Sequence, residues 1–173
     1  MGSGKSVNIR KLHIAAPSNS SASAQVAAGL NELDLVALAI IHYSSEDPDH
    51  PVEHMFDGCS GRGATRWMSA RCDATEQIVI AFTDPVNISR MAFEVEETLV
   101  GRTQEVRVEY SADAGRTYRQ VLVQEYTFSP QGSTCQQENL ALELRDVTHL
   151  RLIIVPNKGG SGKATITSLQ LFA

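Results

Sequence analysis

Glu105-Val106-Arg107-Val108-Glu109-Tyr110 alternates charged and apolar side chains without a break. Successive side chains of a strand point to opposite faces, so Val106, Val108 and Tyr110 share one side and Glu105, Arg107 and Glu109 the other. Such a strand has one dry face and one wet face. Similar short runs lie on either side of it, at 77–82, 88–95, 118–124, 140–144, 150–155 and 164–172. Turn chemistry separates them at Asp84-Pro85, Gly101, Asp113-Ala114-Gly115, Ser129-Pro130-Gln131-Gly132 and 156–162. Strands at roughly 8–12-residue spacing, with no helical pattern between them, predict an all-β, antiparallel sandwich or barrel. Leu152-Ile153-Ile154-Val155 is apolar at consecutive positions and fits a strand covered on both faces.

Upstream the period is lost. Leu30 to Ile41 is a near-continuous apolar run that fits a short helix or a buried strand equally well. The stretch PSNSSASAQVAA at 17–28 is small and polar, and reads as a linker or a loosely held arm. Before it, VNIRKLHI at 7–14 alternates as an edge strand does, and a tail is equally consistent. Residues 1–30 are therefore read as an N-terminal extension and 31–173 as one domain. The 173 residues, 42% apolar and 20% charged, match one domain of ordinary size plus an appendage.

Charge and composition exclude several classes. Against 20 Asp and Glu there are 15 Lys and Arg, a net charge of −5, without the basic surplus that a phosphate-backbone binder needs. Nucleic acid is not an expected partner. The apolar run 35–41 is far short of the roughly 20 residues that cross a bilayer, so no membrane span is expected. No basic-then-apolar leader opens the chain, but Met1-Gly2-Ser3-Gly4 reads as a cloning scar. The compartment stays open, with the cytoplasm slightly favoured. Three cysteines are too few for a disulfide scaffold and too loosely spaced for a zinc cluster.

The order of landmarks carries a resemblance. Ser44-Ser45, then Asp49-His50-Pro51-Val52-Glu53-His54-Met55-Phe56-Asp57-Gly58, lead to Thr65-Arg66-Trp67-Met68-Ser69 and to a strand starting at Gln77. Pro85 to Met91, Gly101-Arg102, Ser111-Ala112-Asp113-Ala114-Gly115, Leu150 to Ile154 and Ala164 to Leu169 follow. Over about Leu33 to Ala173 this resembles the coagulation factor 5/8 type C, or discoidin, domain of the galactose-binding-like superfamily, which includes family 32 carbohydrate-binding modules. The resemblance implies an eight-stranded jelly roll with no chemistry in its core, whose loops at one end form the binding surface. It also spans lectins, membrane-binding modules and protein adaptors, so fold alone does not select a function.

The resemblance also nominates residues. Asp57-Gly58-Cys59-Ser60-Gly61-Arg62-Gly63-Ala64-Thr65 matches a loop that holds structural calcium in many relatives, with Asp57 and Thr65 as two of the ligands. Ca²⁺ wants several oxygens, which such a turn can supply. Where relatives often place an acidic residue near the C-terminal strand, this chain has Ser168. The alternative is a loop held by Asp side-chain turns alone. Trp67 matches a buried core tryptophan. For a ligand, the candidates are Glu96, Glu97 and Arg102 in the loop 96–102, Tyr43 and His50 in the neighbouring stretch, and Tyr126 and Phe128 as an apolar face for a sugar ring. Arg102 as a loop anchor, and Tyr126 and Phe128 as plugs of the barrel end, are the structural alternatives. The expected partner is a glycan, or a protein if the domain is an adaptor.

Three other strings read as structure. Ser111-Ala112-Asp113-Ala114-Gly115-Arg116-Thr117-Tyr118 fits the sialidase Asp-box except at its last residue, and a single box is a hairpin device. His50-Pro51-Val52-Glu53-His54 matches H-x-x-E-H, a zinc motif that needs an uninterrupted helix, and Pro51 interrupts it. Gly2-Ser3-Gly4-Lys5-Ser6 has only the end of a P-loop. Neither these strings nor His13, His42 and His149 assemble a catalytic set, so no enzyme is expected. Cys59 and Cys72 flank the approach to Trp67, and the two readings, a pair in an oxidising compartment or three free thiols with Cys135, stand side by side.

Overall fold

The computed structural model describes residues 9–13, 32–159 and 161–173. The linker reading of 17–28 and the P-loop-like string at 2–6 lie outside the described residues. Among them the strands are β1 (Lys11–His13), β2 (Ala39–Tyr43), β3 (Trp67–Cys72), β4 (Glu76–Glu96) and β5 (Arg102–Ser111). They continue with β6 (Arg119–Phe128), β7 (Cys135–Val155), β8 (Lys163–Ile166) and β9 (Ser168–Phe172). The order across the larger sheet is β1-β2-β4-β7-β5-β6, with β9 on the far half of β4, while β3 and β8 pair separately. All pairings are antiparallel except β1 on β2. This is the antiparallel β-sandwich that the alternating runs and the resemblance imply.

The segmentation differs from the sequence reading at three places, each for a backbone reason. The runs 77–82 and 88–95 form one strand, β4, whose pairing with β7 slips between Ala81 and Arg90. Pro85, which has no N–H to give the ladder, sits inside that slip. Ile78, Ile80, Phe82 and Ile88 are buried up to the last shift of register, and Met91, Phe93 and Val95 beyond it. The inward parity has changed from even to odd, so one strand lines the core in two registers. The runs 140–144 and 150–155 likewise belong to one strand, β7, which turns at Asp146 with φ 51°. The run 164–172 instead divides at Thr167, because β8 pairs with β3 and β9 with β4.

The run 30–41 resolves into both candidates. A single helical turn, α1 (Leu35–Leu38), is capped by Asp34, whose carboxylate accepts from Val36 and Ala37 N–H, and it passes directly into β2. In the stretch 7–14, Lys11–His13 joins the sheet beside β2 and Ile9 is buried in the core. Part of the segment read as an extension is thus held by the domain. Leu152 and Ile154 are fully buried, whereas Ile153 and Val155 are half-buried, so β7 is completely covered on one face only. Glu105 also departs from the wet-face reading: it is buried, paired to Lys158 at 2.8 Å and to Arg107 at 3.1 Å. Trp67 is buried and donates from Nε1 to the Ser45 carbonyl at 3.1 Å. Among the described residues no helix is long and apolar enough to cross a membrane.

Candidate functional site

Strand pairing gathers the nominated loops at one end of the sandwich. Arg102 opens β5 opposite Phe128 at the close of β6, Glu96 ends β4 opposite Cys135, and Glu76 opens β4 opposite Ile154. The connections that leave these positions, 97–101, 129–134 and 156–162, therefore share one rim.

Arg102 lies under that rim, with its side chain 1% exposed. Its Nε donates to Glu97 Oε2 at 2.8 Å and Nη1 to Gln104 Oε1 at 2.8 Å, with the Pro156 carbonyl also accepting from Nη1. Gln104 in turn bonds both backbone groups of Thr165, at 2.9 and 3.1 Å, and so joins β5 to β8. Glu97 accepts from Leu99 and Val100 N–H at 2.9 and 3.2 Å, which folds the loop back over the arginine. Burial pushes the Glu97 carboxyl up, but those amides and Arg102 outweigh it and hold it below the usual carboxylate range. The geometry is that of the loop anchor, not of a free fork of donors. Glu96 is also buried and spoken for, as described below.

Tyr126 and Phe128 do not form an outward apolar face. Both are buried, with ring centroids 6.5 Å apart, and Tyr126 meets Phe93 edge-on at 6.1 Å. Their alternation along β6 with exposed neighbours turns them inward, where they close the barrel end. Burial raises the Tyr126 phenol well above its ordinary range.

The stretch after β2 is the more open part of the rim. Asp47 closes a turn by accepting from Asp49 N–H at 3.0 Å and lies 2.6 Å from Lys163 Nζ. Its carboxyl is lowered to about 2, chiefly by that lysine and then by the Asp49 amide. His50 Nδ1 stands 3.4 Å from Asp47, with the ring 40% exposed. Tyr43 is half-buried at the head of this stretch, with Lys11 Nζ 5.5 Å above its ring, and Lys11 bridges Glu46 and Glu53 at 2.8 Å each. The turn 157–163 links this stretch to the arginine. A Cβ on Gly162 would lie 3.1 Å from Arg102 Cδ, while the next residue, Lys163, reaches Asp47. Asp47 and Lys163, 116 positions apart, were missed by sequence reasoning, and only the Asp47-Pro48-Asp49 turn chemistry hinted at the first.

Beneath the rim, Glu76 is fully buried and accepts from Arg71 at 2.9 Å on each oxygen, from Ser45 Oγ at 2.9 Å and from Ser44 Oγ. Burial pushes its carboxyl up, yet Arg71 and the two serines prevail and lower it.

The Gly-rich loop 57–65 is closed by side chains. Asp57 Oδ1 accepts from Cys59 N–H at 2.8 Å and Oδ2 from the Thr65 hydroxyl at 2.5 Å. Gly61 N–H donates to Glu94 at 2.7 Å, and Gly63 N–H to both oxygens of Glu96 at 3.1 Å. Ser168 faces Glu94 across the β4–β9 ladder. This donor set does not fit a Ca²⁺ shell: both Asp57 oxygens already accept hydrogen bonds, and the loop turns N–H groups toward the carboxylates. Among the described residues no group of three or more His, Cys, Asp or Glu is placed to hold a metal. Beside the loop lies a half-open cavity of about 340 Å³, bounded by Leu33, Leu35, Phe56, Cys59, Ser168 and Gln170.

The remaining strings are placed as follows. Ser111 Oγ accepts from Asp113 and Gly115 N–H at 3.2 and 3.0 Å, and Asp113 accepts from Thr117 N–H and Oγ at 2.9 and 2.6 Å. The Asp-box is thus a hairpin turn at the opposite end of the sandwich. His50 faces Asp47 whereas His54 Nδ1 faces the Arg66 carbonyl at 3.1 Å, and the 3-10 turn Val52–Phe56 begins only after Pro51. Cys59, Cys72 and Cys135 are free thiols.

Comparison with known proteins agrees with this architecture. The family model described as F5/8 type C domain matches residues 40–169. Among solved structures, CBM32-3 from a family 31 glycoside hydrolase of Clostridium perfringens is 17% identical with a TM-score of 0.61, covering 83% of this chain and 95% of that one. CpGH89CBM32-4, from the same organism and in complex with glcNAc-alpha-1,4-galactose, is 14% identical with a TM-score of 0.60, covering 84% and 97%. The family 32 CBM of C. perfringens NanJ, in complex with galactose, is 12% identical with a TM-score of 0.55, covering 78% and 93%. No curated protein matches the chain. At these identities the likeness speaks to the fold.

Proposed function

This chain belongs to the F5/8 type C domain family, and from that premise we propose that it is a non-catalytic module that binds a glycan through the loops at the Arg102 end of its sandwich. Sugar hydroxyls are recognised by donors and acceptors held in fixed positions on a rigid scaffold. The observation that carries the reading is the convergence of Asp47, His50 and Lys163, which are partly exposed and braced through Gly162 against buried Arg102. Arg102, Glu96 and Glu97 act indirectly, by fixing the loops. The galactose-containing ligands of the neighbours guide the choice of probe.

The test is a glycan array followed by calorimetric titration with the galactose-terminated hits. His50→Ala and Lys163→Ala are each expected to weaken binding by about tenfold, the equivalent of one charge-assisted hydrogen bond, with an unchanged far-UV spectrum. An array without hits, or affinities indifferent to both substitutions, would sink the reading. A second reading, an adaptor of the same fold, is favoured by Leu99, 84% exposed beside Val100 at the tip of the loop 97–101. Leu99→Asp separates the two, since it removes a docking side chain and leaves Asp47, His50 and Lys163 in place.

A further inference from the structure

We infer that the loop 57–65 is ordered by an internal arginine latch, with Arg66 and the buried carboxylates of Glu94 and Glu96 doing the work that a bound cation would do in a chelating loop. Glu94 and Glu96 are almost completely buried near the end of β4. A buried carboxylate must be neutralised or fully hydrogen-bonded, because its desolvation is otherwise unrecovered. Here all four of their side-chain oxygens have donors. Glu94 receives Gly61 N–H at 2.7 Å and Gln137 Nε2 at 2.6 Å. Glu96 receives Gly63 N–H at 3.1 Å on both oxygens and Arg66 Nη2 at 2.7 Å. Arg66 Nη1 also donates to the Glu96 backbone carbonyl at 3.0 Å, so the guanidinium grips backbone and side chain of one residue together.

The backbone of the loop is shaped for this arrangement. Gly61 and Gly63 have φ of 88° and 74°, a left-handed conformation that side-chain-bearing residues rarely adopt. It turns their N–H groups toward the carboxylates. A cation in the same place would have to displace the Arg66 guanidinium and the Gly61 and Gly63 amides from the Glu94 and Glu96 carboxylates, and the Cys59 amide and Thr65 hydroxyl from Asp57. Ser168, in the place of an acidic side chain, adds no charge to draw it in. The latch also ends one residue before Glu97, the partner of Arg102, so it ties the Gly-rich loop to the loop 97–101 without a cofactor.

The test is thermal melting of the full chain in EDTA and in millimolar CaCl₂, with calorimetric titration of Ca²⁺ alone and hydrogen exchange at Gly61 and Gly63. The two melting points are expected to coincide, and both amides to exchange slowly in the wild type. Arg66→Gln is expected to lower the midpoint by about 5–10 °C, as loss of one partner of a largely buried pair does in a chain of this size. It is also expected to speed exchange at both amides by at least about tenfold. Arg66→Lys keeps the charge and loses the fork, and is expected to fall between. Saturable Ca²⁺ binding that raises the midpoint and is lost in Asp57→Asn would overturn the inference. So would Gly61 and Gly63 amides that exchange at open-chain rates in the wild type, or an Arg66→Gln protein indistinguishable from it.

Discussion

The two ends of the sandwich are both built from tight polar turns, yet they are held by opposite means. At the Asp113 end, Ser111, Asp113 and Thr117 bond one another within seven residues of chain, and the turn is largely exposed. At the Arg102 end, ion pairs and buried hydrogen bonds hold loops that are remote in sequence, as in Arg66–Glu96, Gln104–Thr165 and Asp47–Lys163. A locally closed turn can change without consequence elsewhere. A turn closed by shared buried charge transmits any change to its neighbours, and so fixes several loops together as a binding surface requires.

Arg102→Ala breaks the contrast hardest. It takes the guanidinium from Glu97 and Gln104, which keep only backbone donors, and breaking a buried ion pair costs about 3–5 kcal/mol, to be read from denaturant unfolding. Glycan affinity should fall with it, since the turn 157–163 loses its support at Gly162. Acid acts on carboxylates at both ends, since Ser111 and Thr117 also hold the Asp113 carboxyl below its ordinary value, but the Asp113 end adds an earlier histidine step. At the Arg102 end the carboxyls of Glu46, Glu76 and Glu97 lie below their ordinary values and Asp47 at about 2, so their stabilisation is complete above the ordinary carboxylate range. It is lost as pH falls through the native values toward about 2. At the other end, burial lowers His149, packed against Gly115, below its ordinary 6.5. The neutral ring therefore stabilises above pH 6.5, and that smaller contribution fades first on acidification. Melting points followed across this range should fall gently below the histidine range and steeply below the carboxylate range, and His149→Phe should shrink only the first step, which His42, also lowered by burial, shares. Asp113→Ala is expected to give the smallest effect, a modest loss of stability with unchanged glycan affinity. Equal losses from Asp113→Ala and Arg102→Ala would erase the distinction between the ends.

The same contrast explains what was legible in the sequence. The strand runs from 77 onward and the Asp-box turn follow from local alternation or local side-chain chemistry and could be read directly, whereas the buried Trp67 came with the family resemblance. The Arg102 end could not, because its partners are brought together by the fold. Arg102 was visible as a residue, but whether it points outward or is enclosed depends on Glu97, Gln104 and Pro156 closing around it. Tyr126 and Phe128 misled for a related reason: their spacing places them on one face of β6, and only the register with β5 tells which face is inside. Glu76 and Glu94 gave no signal, since a lone Glu in a strand is ordinarily solvated and these are enclosed by distant residues.

The most direct measurement is an amide-resolved NMR titration of the wild-type chain with a galactose-terminated oligosaccharide. Saturable shifts are expected in 43–50, 97–101 and 157–163, with the amides of 111–117 unmoved. Shifts confined to the Asp113 hairpin or to the cavity beside Phe56, or no saturable shift at millimolar sugar, would contradict a glycan site built on the buried ionic end of the sandwich.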